Sequence, residues 1–180
     1  MTCFTAGRLV GGVPGLRMSQ DLGTLAMVLR EATHDDIPTL VSLIHAAFEE
    51  YRGRLEPPSG AHRETAQSIG TYLQQGRAVL ALRNDQAVGC VCYHQEGEHV
   101  YFGRLSVLPP CRQQGVGLAL IAYVEQQAQA LGAQRVQIGV RLALPHLHGY
   151  YERLGYRVVC YETHAGYAAP TSVAMEKQVV

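Results

Sequence analysis

The sequence predicts an α/β fold in which one mixed β-sheet is flanked by about four helices. Two observations indicate this fold. Three apolar segments follow one another between residues 78 and 107 with turn residues between them, which is typical of antiparallel hairpins. A long amphipathic segment then separates two further strand-like segments, which is typical of a helical crossover. A sheet with hairpins early and a crossover late is expected to mix antiparallel and parallel strand pairs.

Local signals define the individual elements. Thr33 and Asp36 have the spacing of a capping box and mark the start of the first helix. Pro57 and the proline after it break that helix, Asn84 begins a hairpin turn, and Gly132 ends the longest helix. The predicted elements are, in chain order, a strand at 27–31, helices at 34–50 and 61–75, strands at 78–83, 87–94 and 99–107, a helix at 114–131, a strand at 134–140, a helix at 146–153, and strands at 156–162 and 172–179.

The chain is expected to contain a single domain. Its 180 residues suffice for one domain and are too few for two. Residues 1–26 hold five glycines and one proline without a helical period or the continuous apolar core of a signal peptide, so we expect a flexible extension there. The domain is then expected to span residues 27–180.

Composition excludes several kinds of partner. Apolar residues make up 47% of the chain, which is typical of globular proteins. Fifteen basic residues balance 15 acidic ones, whereas strong nucleic-acid binding needs a concentrated positive surface. No apolar run approaches the about 20 residues of a membrane span. The cysteines are odd in number and lack C-x-x-C spacing, so we expect reduced thiols and a cytoplasmic location, with Cys90 and Cys92 packed in the core.

The turn before the longest helix is a predicted phosphate site. The first N–H groups of a helix have no intrahelical partner and lie at the positive end of the helix dipole. Gly115 and Gly117 have no Cβ atom, which allows a phosphate to approach the backbone, and Arg112 adds a positive charge. A P-loop is excluded because the only lysine is Lys177, and a dinucleotide fingerprint fails because Leu120 replaces its third glycine.

Two motifs together resemble the GNAT superfamily of acetyl-coenzyme-A-dependent N-acetyltransferases. Arg112-x-x-Gly115-x-Gly117, after an L-x-V strand and prolines, resembles the coenzyme-binding motif of that family. Tyr151-Glu-Arg-Leu-Gly-Tyr156 resembles its Y-E-x-x-G-[FY] motif. The resemblance covers residues 27–178 and implies the GNAT fold, with a mostly antiparallel N-terminal meander and a parallel strand pair that splays apart.

The resemblance implies acetyl-CoA as the cosubstrate, no metal, and a role for specific residues. Tyr151 would protonate the leaving thiolate as a general acid. Leu105 and Val107 would lie on the splayed strand edge, where Val107 would bond the pantetheine like an added strand. The pyrophosphate would lie against the backbone N–H groups of Arg112, Gln113, Gln114, Gly115, Val116 and Gly117.

The sequence departs from the family at two positions. Leu144 occupies a position where relatives often carry Asn, and His146 and His148 are alternatives nearby. Gly103 occupies a strand position where many relatives carry a carboxylate base. The base therefore stays open among His99, a residue of the loop that follows the first helix, and a water chain. A covalent route through the cysteine at 111 is the alternative to direct transfer, which we favour.

The expected function is transfer of an acetyl group to a primary amine of a small molecule, in a ternary complex. The loop from Glu49 to Glu64 mixes carboxylates with arginines, which suits an amino-acid-like acceptor and equally suits a solvated loop. The alternatives are a protein or peptide N-acetyltransferase and a non-catalytic acyl-CoA sensor. A homodimer through the late strands is compatible with the apolar C-terminal segment.

Overall fold

Seven strands and four α-helices make up the part of the chain that the computed structural model describes, residues 27–179. The strands are β1 (Met27–Glu31), β2 (Arg77–Arg83), β3 (Gln86–Glu96), β4 (His99–Val107), β5 (Arg135–Arg141), β6 (Arg157–Glu162) and β7 (Ser172–Gln178). The helices are α1 (Ile37–Phe48), α2 (Ala66–Tyr72), α3 (Val116–Ala130) and α4 (Pro145–Arg153). The predicted extension at residues 1–26 lies outside the described residues.

The strands form one sheet in the order β1-β2-β3-β4-β5-β7-β6. The pair β4 and β5 is parallel, and the other neighbouring strands are antiparallel. The predicted mixed sheet with an early meander and a late crossover is confirmed. At the β2–β3 hairpin, Asn84 and Asp85 both have positive φ angles, of 49° and 60°, as a type I′ turn requires.

The first three α-helices are shorter than the sequence predicted, for local reasons, whereas α4 begins one residue earlier than predicted. The second helix begins at residue 66 rather than 61 because Thr65 caps it: the Thr65 hydroxyl accepts from the Ser68 N–H at 3.1 Å. A separate 3₁₀ turn covers Gly60–Arg63. The third helix begins at Val116 because Gly115, its N-cap, has a left-handed backbone with φ 81°.

Two apolar clusters cover the two faces of the sheet. The larger cluster lies under α3 and α4, and the smaller lies under α1 and α2. Cys90 and Cys92 belong to the smaller cluster and are 0% and 1% exposed, which confirms the predicted core packing. Burial raises the pKa of both thiols, that of Cys92 to about 12, so both stay uncharged at neutral pH.

β6 is an edge strand whose six residues are all exposed. Val159 and Tyr161 are 52% and 64% exposed. An exposed strand with large apolar side chains offers both free backbone groups and an apolar surface.

Candidate active site

The parallel strands β4 and β5 separate after three residue pairs. Pairing runs from His99 opposite Arg135 to Tyr101 opposite Gln137 and ends there. Beyond this point residues 102–107 of β4 and 138–141 of β5 no longer pair with each other. The splayed pair that the resemblance implied is therefore confirmed. We call the opening between the two strands the β4–β5 gap.

A bulge in β4 coincides with this separation. The register with β3 shifts between the pair Cys92–Gly103 and the pair Cys90–Ser106. Arg104 lies in the bulge with φ 52°, a left-handed conformation that is uncommon for residues other than glycine. Its Nε donates to Glu64 Oε1 at 2.7 Å, which ties the bulge to the segment before α2. A bulge bends and twists its strand, which accounts physically for the departure of β4 from β5.

The turn before α3 leads into backbone N–H groups that have no intrahelical partner. Gln113 and Gly115 both have left-handed backbones, with φ 58° and 81°. The Ala119 N–H donates to the Gly115 carbonyl at 3.0 Å and so begins the intrahelical bonding, which leaves the amides of residues 116–118 outside it. A Cβ atom at Gly115 would meet nothing within 4 Å, so the space in front of the turn is open. Such a turn suits a phosphate group.

The Arg112 side chain stabilises this turn through three contacts. Its Nε donates to the Val107 carbonyl at 3.2 Å and its Nη2 to the Ala47 carbonyl at 2.9 Å, and the guanidinium pairs with Glu50. The side chain therefore ties the turn to the end of β4 and to the end of α1. Its charge is partly neutralised by Glu50, so it adds less positive potential than the sequence suggested.

Arg83 is a second cation at the turn, and the sequence analysis missed it. Its Nη2 donates to the Gln114 carbonyl at 3.0 Å, and its Nη1 donates to the Gln114 side chain. Among residues 27–179, the buried Arg83 Nε has no hydrogen-bond partner. Arg83 ends β2 and lies 31 residues before Gln114, so no local motif connects the two.

Tyr151 lies on α4 and is 4% exposed. Its ring contacts that of Phe102 at a centroid distance of 6.3 Å, and Phe102 is the first β4 residue beyond the paired segment. Burial, with smaller contributions from Tyr150, Tyr101 and Tyr51, raises the pKa of Tyr151 well above its ordinary value of 10. The phenol therefore stays protonated at neutral pH and is able to donate a proton near the gap.

The neighbours of Tyr151 have different roles. Tyr156 donates its hydroxyl hydrogen to Glu125 at 2.9 Å and so anchors the end of α4 to α3. Tyr150 is half-buried, and its hydroxyl lies 3.8 Å from where a Cβ at Gly117 would be. Tyr150 thus reaches the first turn of α3.

Tyr101 occupies the space left by two glycines. Its hydroxyl lies 3.2 Å from the position of a Cβ at Gly139, on β5. Its ring lies 3.4 Å from the position of a Cβ at Gly103, the place where the family often has a carboxylate. A tyrosine ring therefore covers that place.

The structure separates the predicted histidines from one another. His99 begins β4, where β4 and β5 are still paired, and its Nε2 lies 3.6 Å from Glu96 Oε2. Six residues at about 3.3 Å each separate it from Leu105 along the strand. His148 Nε2 lies 3.0 Å from the Arg141 carbonyl at the end of β5, and His146 is exposed. Leu105 and Val107 are half-buried against the larger cluster.

Residues 27–179 show neither a metal-binding cluster nor a membrane-spanning helix. They contain no group of three or more His, Cys, Asp or Glu side chains suited to a metal ion. None of the helices described is long and apolar enough to cross a membrane.

Known proteins share this architecture. The PaiA N-acetyltransferase of Thermoplasma acidophilum, solved in complex with coenzyme A, superposes with a TM-score of 0.71 at 15% identity, covering 85% of this chain and 99% of that one. An aminoglycoside 6'-acetyltransferase type Ii superposes at 0.67 with 21% identity, over 85% and 97% of the two chains. The ribosomal-protein-S18-alanine N-acetyltransferase of Escherichia coli superposes at 0.68 with 14% identity, over 86% and 94%.

The similarity to known acetyltransferases is also found in the amino-acid sequence. The aminoalkylphosphonate N-acetyltransferase of Salmonella typhimurium is 33% identical over 85 residues, which cover 43% of this chain and 54% of that protein. The chain thus matches about half the length of this relative. The profile described as the acetyltransferase (GNAT) family matches residues 40–156, which include both motifs that carried the resemblance. The chain therefore belongs to the acetyltransferase (GNAT) family.

Proposed function

We propose that the protein is an N-acetyltransferase that moves the acetyl group of acetyl-CoA to a primary amine of a small molecule, within a ternary complex. The observation that carries the proposal is the position of Tyr151, a buried and protonated phenol beside the β4–β5 gap. The gap ends near the turn before α3, so an extended pantetheine with a pyrophosphate at one end fits both features.

The fit to acetyl-CoA rests on this chain's own groups. The amides of residues 116–118 and the open space at Gly115 suit the pyrophosphate, and Arg83 adds positive charge there. The unpaired edge of β4, including Leu105 and Val107, suits the amides of pantetheine. Acetyl-CoA supplies the activated thioester.

The transfer needs one proton donor and one proton acceptor. The amine nitrogen attacks the thioester carbonyl carbon, the carbon–nitrogen bond forms, and the carbon–sulfur bond breaks. Tyr151 donates its proton to the departing thiolate. The surplus proton of the amine goes to a base, for which the candidates from sequence are His99, a residue of the loop between α1 and α2, and a water chain. Positioning of the two substrates supplies a large part of the acceleration.

A small acceptor is favoured over a peptide by the loop between α1 and α2. Arg141 on β5 donates to the Pro57 carbonyl, and Tyr167, between β6 and β7, donates to Glu56. These contacts join the loop to the far half of the sheet, so the loop crosses the face on which an acceptor would lie. A peptide needs a groove that is open at both ends. The names of two relatives, which specify aminoalkylphosphonate and aminoglycoside acceptors, point the same way.

The first experiment compares binding with turnover. We expect acetyl-CoA near 100 times its Kd to raise the Tm by about 5–10 °C, whereas ATP and NAD do not. We then expect free thiol to be released when a suitable amine is added. Binding without thiol release from any amine in a broad panel would favour the acyl-CoA sensor, and no Tm shift at millimolar acetyl-CoA would contradict the proposal.

A further inference from the structure

Arg141, Ser172 and Glu162 form one row across the sheet. Arg141 on β5 is the direct partner of Ser172 on β7, and Ser172 is the direct partner of Glu162 on β6. Direct partners in an antiparallel pair project from the same face. Neighbouring strands are about 4.8 Å apart, so the Cα atoms of Arg141 and Glu162 lie about 10 Å apart with a small side chain between them.

The next row on the same face of the sheet consists of small residues. It contains Gly139 on β5 and its partner Ala174 on β7. Glu162 Oε2 lies 3.9 Å and the Tyr101 hydroxyl 3.2 Å from the position of a Cβ at Gly139. The Glu162 carboxylate therefore reaches over Gly139 towards Tyr101, where the β4–β5 gap begins. Ser172 donates to Glu162 Oε2 at 3.3 Å, which orients the carboxylate.

Arg141 is a cation that lacks a full set of partners. Its Nη2 donates to the Pro57 carbonyl, but its Nε is buried without a hydrogen-bond partner among the residues described. Burial of a guanidinium without an acceptor is unfavourable, and an oxyanion would satisfy it. Glu56 is a nearby carboxylate that interacts electrostatically with Arg141, and it also accepts a hydrogen bond from Tyr167.

Resting on the proposed function, we propose that the acceptor is a small zwitterion, a primary amine joined by a short chain to an oxyanion. Glu162 binds the ammonium group beside the gap, and Arg141 binds the carboxylate or phosphonate. The two residues lie on the same face of the sheet with only Ser172 between them in the row, so the two ends of one small molecule are placed to contact both. Each therefore recognises one end of the same molecule.

The test compares acceptors that differ only in the anion. Thiol release is measured with 3-aminopropanoate and 2-aminoethylphosphonate, and with propylamine and ethylamine as matched amines that lack the anion. We expect kcat/KM to be at least about 10-fold higher for an anionic acceptor, since a hydrogen bond to a charged group strengthens binding by about that factor or more. The two anionic acceptors distinguish a carboxylate site from a phosphonate site.

Variants assign the effect to the two residues. Arg141→Met should remove the preference for the anionic acceptor by raising its KM about 10-fold, with little change for propylamine. Glu162→Gln should raise the KM of all these amines. Arg135→Met is the matched control, because Arg135 lies on the same strand and pairs with Glu176. It should change neither the KM of the anionic acceptors nor that of the plain amines.

The outcomes separate this inference from the function on which it rests. Equal kcat/KM for matched amines with and without the anion in the wild-type enzyme would overturn the inference and leave the acetyltransferase activity intact. Absence of thiol release with any amine, despite acetyl-CoA binding, would overturn the proposed function and the inference with it. The wild-type comparison needs no variant, so a poorly folding Arg141→Met protein would still leave a decisive result.

Discussion

The Tyr101 hydroxyl on β4 lies over Gly139 on β5, 3.2 Å from where a Cβ atom would be. This contact sits two residues beyond the last paired residue of β5, so the phenol fills the first part of the β4–β5 gap. A methyl group at position 139 would press on the hydroxyl. We expect Gly139→Ala to lower kcat/KM for acetyl transfer several-fold by displacing Tyr101.

A double-mutant cycle checks that this effect passes through the phenol. In a Tyr101→Phe background the hydroxyl is absent, so Gly139→Ala should cost little further activity. Steady-state kinetics of the wild type, both single variants and the double variant measure the coupling. Strictly additive losses would show that Gly139 acts independently of Tyr101.

Tyr151→Phe should lower kcat by about 10²-fold or more and leave the Kd of acetyl-CoA nearly unchanged, because only the proton donor is lost. Tyr156→Phe is the matched control from the same motif. Its hydroxyl bonds Glu125, which also pairs with Lys177 at 2.7 Å, so this change should lower stability without lowering kcat. Because the pKa of Tyr151 is raised above 10, the phenol stays protonated at mildly alkaline pH. The pH profile of kcat near neutrality should therefore have the same shape in the wild type and in Tyr151→Phe.

Gly115 and Gly132, at opposite ends of α3, allow the effect of backbone strain to be distinguished from the effect of ligand contact. Gly115 and Gly132 both have positive φ, 81° and 72°, and a Cβ at either would meet nothing within 4 Å. Replacement by alanine should cost about 1 kcal/mol of folding stability at each. Only Gly115→Ala should weaken acetyl-CoA binding, measured by calorimetry, because only Gly115 faces the proposed pyrophosphate. Similar Kd values for the two variants would contradict the proposed phosphate site.

Arg83→Met should raise the Kd of acetyl-CoA about 5- to 10-fold at low salt, because it removes a positive charge beside Gln114. Salt screens such charges, so the difference from the wild type should shrink at high ionic strength. Arg77→Met on the same strand is the control, since Arg77 pairs with Glu31 at 3.1 Å, and its Kd should match the wild type. A salt-independent loss would indicate that Arg83 acts by holding the turn.

Asp36 links stability to acid pH. Its carboxylate accepts from the Thr33 N–H at 2.7 Å and pairs with Arg30 at 2.8 Å, and these bonds lower its pKa far below the ordinary 3.8. A lowered pKa contributes stability above the unfolded value that is lost as the pH falls towards the folded value. Asp36→Asn should therefore cost about 1 kcal/mol in urea unfolding at pH 7, and progressively less below pH 4. An equal cost at pH 7 and pH 2 would contradict this linkage.

The fold was predictable because its signals are local. The Asn84 turn, the Thr33 cap and the period of α3 each depend on a few neighbouring residues, and each element lies within a few residues of its prediction. The motif around Gly115 was likewise readable because the turn and the helix start are contiguous in sequence.

Other parts of the site depend on contacts between distant segments. Arg83 meets Gln114 across 31 residues, and Arg141 meets Pro57 across 84, so no spacing rule reveals either. The sequence predicted that Arg112 adds a positive charge to the phosphate site, whereas in the structure its guanidinium contacts Glu50 and two backbone carbonyls. The roles of Tyr151 and His99 stay predictions.

The three residue pairs between β4 and β5 are the only strand pairing that joins β1–β4 to β5–β7 in the described sheet. A seam of this kind opens at a lower free energy than the sheet on either side, so its amides should exchange with solvent first. A substrate that lies in the gap as an added strand adds hydrogen bonds where β4 and β5 share only three residue pairs. Binding would then add a further connection between β1–β4 and β5–β7, beside the larger apolar cluster that spans both, and the substrate becomes, for as long as it stays, a structural part of the protein.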